Sequence, residues 1–83
     1  MNQPLGYLKE VLSNYSDRSG TGKEILKMIM EQSFTSEESF VRELTDSQIN
    51  FLNKILPHEI NHAKNAADDE RAYQLNEVFE LLF

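Results

Sequence analysis

At 83 residues with no cysteine, the chain is sized for a single domain, 1–83, and excludes a disulfide framework or a thiolate metal site. Fourteen acidic against eight basic side chains give a formal charge of -6. The bases stand singly along the chain, so the cation cluster that nucleic acid or anionic lipid requires is missing. No apolar run approaches the roughly 18 residues of a membrane span, and MNQPLGYLKE lacks a basic segment followed by an apolar one. A soluble cytoplasmic protein is the expectation, with no nucleic-acid and no membrane partner.

The apolar positions predict an all-α protein, a compact bundle of four or five short helices. Asn2 or Gln3 caps the first, with Pro4 at its first position. Leu5, Leu8, Leu12 and Tyr15 fall on one face, and the helix is expected to end near Ser16. Gly6 weakens the first turn or lets another backbone approach. Gly20-Thr21-Gly22-Lys23 has only a superficial phosphate-loop look: the earlier glycine, the hydroxyl residue after the lysine and a preceding strand are absent. Thr21 and Glu24 have capping-box spacing instead, predicting a helix over 22–32 with Ile25, Met28 and Ile29 inward and Leu26 and Met30 less centrally so. Thr35 and Glu38 repeat that spacing before a short helix over 36–44, with Phe34 as a staple and Phe40, Val41 and Leu44 inward.

Thr45 and Gln48 form a third box, opening the longest stretch, Thr45 to Ala67. Ile49, Leu52, Leu56, Ile60 and Ala63 share a face that Phe51 and Ile55 broaden, so this helix is expected at the centre of the bundle. Pro57 interrupts it, but the apolar phase runs on, favouring one kinked helix over two. A turn follows over 65–69, although a continuous helix is an alternative because the junction lacks Gly and Pro. Asp68 or Asp69 caps the last helix, whose stripe is Ala72, Leu75, Val78, Phe79 and Leu82. The apolar residues up to Phe83 suggest a docked terminus.

His58-Glu59-Ile60-Asn61-His62 matches H-E-x-x-H. On a helix, two imidazoles one turn apart can ligate zinc while the glutamate acts as base on a metal-bound water. Glu77 or Glu80 would have to supply a third ligand. Against that reading stand the small chain, the lack of a strand to hold a substrate, and Pro57 beside the first histidine. Helical phase also leaves both histidines at the margin of the buried face. They read as surface residues, Glu59 as a carboxylate near Lys54 or Lys64, and no catalytic, metal or cofactor site is expected. Most aromatic residues read as core; Tyr7, Tyr73 and Phe79 stand at helix margins where they can anchor a partner.

Leu5-Gly6-Tyr7-Leu8, Leu12-Ser13-Asn14, Phe40-Val41, Phe51-Leu52-Asn53, Glu59-Ile60 and Leu75-Asn76-Glu77-Val78 carry a resemblance across nearly the whole chain. The chain resembles the Bacillus sporulation-specific, sigma-G-dependent acid-soluble protein family, the small CsgA-type spore proteins. His58, His62 and Pro57 are not among the residues that carry it. The resemblance implies a forespore setting and no assigned activity. The expectation is a non-enzymatic interaction or regulatory protein with an unknown protein partner or self-association. Storage or packaging protein degraded at germination is the alternative, and a zinc hydrolase the remote one.

Overall fold

Asn2 opens the first helix, its side-chain oxygen accepting the Leu5 N–H at 3.3 Å in the computed structural model, which describes residues 2–82. Pro4 lies in the first turn, where its missing N–H costs nothing. This helix, α1 (Gln3–Ser13), ends three residues before the expected Ser16, and Tyr15 sits in the turn that follows. The next helix, α2 (Gly20–Glu31), starts earlier than its Thr21–Glu24 spacing suggests. Ser19 takes the capping role, accepting the Gly22 N–H at 3.1 Å, so Thr21 is already helical. A Cβ on Gly22 would lie 3.2 Å from the Phe51 ring and 3.3 Å from Tyr15 Cβ, whereas one on Gly6 would meet nothing within 4 Å. No neighbour approaches Gly6 closely, and the crowded glycine is Gly22, against two aromatic side chains.

The short helix α3 (Glu37–Arg42) is likewise capped one residue later than Thr35: Ser36 and Ser39 exchange side-chain and backbone bonds. Phe34 packs edge-on against Phe40, with ring centroids 5.4 Å apart, as a staple would. For α4 (Asp46–Asn65) the predicted box is present, Gln48 N–H donating to Thr45 Oγ1 at 3.2 Å and Thr45 N–H to Gln48 Oε1 at 2.9 Å. The helix is continuous through Pro57. Proline offers no N–H to the carbonyl of Asn53 one turn back, and Asn53 Oδ1 is also buried without a hydrogen-bond donor among the described residues.

After α4 the chain turns in three residues. Ala67 adopts the left-handed conformation, φ 58°. The Asp68 N–H then donates to the Ala63 carbonyl at 2.8 Å and the Ala67 N–H to that of Lys64 at 3.1 Å, the two bonds of a Schellman stop. This is why the junction breaks the helix without glycine or proline. Asp68 caps α5 (Asp69–Glu80).

Around the molecule α1 meets α2, α2 meets α4, α4 meets α5 and α5 returns to α1, while α3 rests on α5. The α4–α5 contact is the most extensive. No strand occurs among the described residues. Leu5, Leu8, Leu12, Ile25, Phe40, Leu52, Leu56 and Leu75 are fully enclosed between these helices. Burying each such side chain contributes about 1.5–3 kcal/mol before entropy is charged against it. Met30, expected to face inward, is 62 % exposed. Phe83 and the docking expected of it lie outside the described residues, but Leu82 is buried.

Candidate functional site

The histidine motif projects from α4 into a polar concavity of about 460 Å³, walled by the turn after α1, the second half of α4 and the start of α5. Tyr15 lines it from the turn after α1. That ring packs edge-on to Phe51, centroids 6.0 Å apart, and its hydroxyl donates to Glu59 Oε2 at 2.7 Å. Burial first, and the Glu59 bond second, push the Tyr15 hydroxyl above its ordinary pKa. Glu59 is thus tied to Tyr15 rather than to Lys54 or Lys64. Arg18 lies over the Tyr15 ring, 5.0 Å from its centroid, and donates to the Asn14 carbonyl at 3.1 Å.

The opposite wall is built from the cap of α5. Asp68 Oδ1 accepts the Arg71 N–H and Oδ2 the Arg71 Nε, both at 3.2 Å. The backbone bond first, then the side-chain bond, hold the Asp68 carboxyl below its ordinary pKa. Asp68 is also the main reason that Arg71 is held further toward its charged form. Arg71 reaches Glu10 on α1 at 3.1 Å and lies over the Tyr7 ring, 5.7 Å from its centroid. One guanidinium thus clasps α1 to α5.

His58 and His62 are exposed and both line the concavity; Glu77 and Glu80 do not. Glu80 instead accepts from Asn76 at 2.7 Å, and Glu77 lies beside the Tyr73 hydroxyl, which it above all pushes up in pKa. Among the described residues no three metal-ligating side chains come together. The three aromatic candidates do not converge. Tyr7 lines a shallow groove with Glu10 and Arg71, Tyr73 lines another with Ile60 and Asn76, and Phe79 lines neither. Tyr73 is 60 % exposed, while Tyr7 and Phe79 are half-buried against the core. Sequence reading missed Tyr15, Arg18 and Arg71 as neighbours of the histidines. Tyr15 and Glu59 are 44 positions apart, and nothing in helical spacing links them.

The model of a family described as CsgA, minor curli fiber component A, matches residues 1–83. Over 82 residues the chain is 43% identical to the Sigma-G-dependent sporulation-specific SASP protein of Bacillus subtilis (strain 168), an alignment spanning 99% of both. The chain belongs to this family of sporulation-specific acid-soluble proteins. No solved structure matches it. Within the family's fold as seen here, no helix among the described residues is long and apolar enough to cross a membrane.

Proposed function

We propose that this member of the family is a non-enzymatic protein of the forespore that works by contact with another protein. The observation that supports this reading is the state of Glu59. As a zinc hydrolase's base it would need to face a metal-bound water, but its carboxylate accepts the Tyr15 hydroxyl and joins α4 to the turn after α1. The motif's acid is spent on holding helices together. The fibre in the family's description is not part of this reading, since cross-β pairing needs strand edges and the described residues hold no strand. A photo-crosslinking residue placed in turn at Tyr7, Tyr73 and Phe79 in sporulating cells tests it. A discrete adduct from one position, absent when the crosslinker replaces Lys27, is the expected result. Monomer alone from all three positions overturns it.

The relative's designation as a SASP favours a second reading, a storage or packaging protein consumed at germination. Immunoblotting through germination separates the two. Loss of the chain in the first minutes supports storage, and persistence into outgrowth supports a contact role.

A further inference from the structure

We propose that the concavity between α1, α4 and α5 binds a small oxyanion of the phosphate or carboxylate class, gripped by Arg18 with His58 and His62. The chain carries fourteen acids against eight bases, yet this hollow collects both of its histidines and two of its three arginines. The two carboxylates lining it are already engaged: Glu59 accepts from Tyr15, and Asp68 holds Arg71. Arg71 is in turn committed to Asp68 and to Glu10 on α1.

Arg18 differs. Among the described residues it pairs with no carboxylate. It is steadied by the Tyr15 ring and the Asn14 carbonyl, which fix the guanidinium without neutralising it. A preorganised, unneutralised guanidinium beside two imidazoles offers several N–H donors to one ligand, and charge-assisted bonds to an oxyanion are the strong ones. The recess, about 460 Å³, has room for such an ion with part of its hydration shell. The facing charges are Arg18, Arg71, Glu59 and Asp68, with Glu10 behind Arg71, so the two guanidiniums lining the hollow offset its two carboxylates. This site is separate from the protein contact proposed above and stands or falls without it.

Two-dimensional NMR of the full chain, titrated with inorganic phosphate and separately with malonate against chloride at matched ionic strength, tests the inference. Saturable shifts are expected at Tyr15, Arg18, His58, Glu59 and His62. Saturation by phosphate, by malonate or by both supports the site and names the oxyanion it prefers. Arg18→Gln and His62→Gln, both at exposed positions, are each expected to weaken binding about ten-fold, whereas Lys27→Gln on α2 leaves it unchanged. The spectra themselves report whether each variant is folded. Shifts that chloride reproduces, or equal affinity in Arg18→Gln and the parent, overturn the site. So does saturation of the histidines by Zn²⁺ with no response to either anion, which would make the hollow a metal site instead.

Discussion

Tyr15 and Glu59 show how a side chain that looks chemical can serve architecture. The bond between them spans the turn after α1 and the middle of α4, and a hydrogen bond to a charged acceptor that is half-buried is worth more than one in water. Tyr15→Phe keeps the ring contact with Phe51 and is expected to cost about 1 kcal/mol, read as a lower urea midpoint at unchanged slope. The same variant tests the alkaline limb. Because the folded-state pKa of Tyr15 is raised, the folded protein holds its proton more tightly than the unfolded chain. That contribution is whole below the ordinary tyrosine range and is lost as pH rises through the folded value. Tyr15→Phe should flatten the fall of Tm at high pH. Asp68 works in the opposite direction. Its carboxyl is held low by Arg71, so its contribution is present above the ordinary value of 3.8 and fades as pH drops below it. Asp68→Asn retains a competent cap and should make Tm less sensitive to acid.

Helix ends decide where each element begins, and here serine and threonine compete for the task. The Thr45–Gln48 box was readable from its spacing, and it forms as expected. Thr21 lost to Ser19 and Thr35 to Ser36, since in each case a serine one or two residues away reaches an N–H of the first turn. Local spacing cannot rank such neighbours, because the choice rests on how the turn packs. The stop at Ala67 was hidden for a related reason: a Schellman turn usually announces itself by glycine, and here alanine carries the positive φ. An exposed alanine held there is strained, so Ala67→Gly is expected to stabilise by about 0.5–1 kcal/mol, visible as a rise in Tm by calorimetry. At Pro57 the apolar phase outweighed the missing N–H, and α4 stayed whole. Pro57→Ala restores a donor to the Asn53 carbonyl and is expected to add about 1–3 kcal/mol, measured by urea unfolding. No gain would mean that packing against α5 requires the proline's geometry.

The stripe of each helix foretold the enclosed residues of the whole molecule, because burial follows periodicity directly; the exposure of Met30 shows where a helix margin escapes that rule. The concavity was not legible, since it arises where three elements distant in sequence meet. A domain of this size holds only about 5–15 kcal/mol of net stability. Phe40 is completely buried, so Phe40→Ala, at about 3–5 kcal/mol, is expected to remove much of it, and circular dichroism against temperature will show a broad transition at markedly lower temperature. The pairing of α1 with α5 adds an element of time. A ribosome completes α1 dozens of codons before α5, and at roughly 5–20 residues per second the gap lasts several seconds. Throughout that interval α1, whose Leu5, Leu8 and Val11 end up buried, lacks one of the helices it finally packs against. Until α5 is available to close the ring of helices, α1 waits without one of its main packing partners.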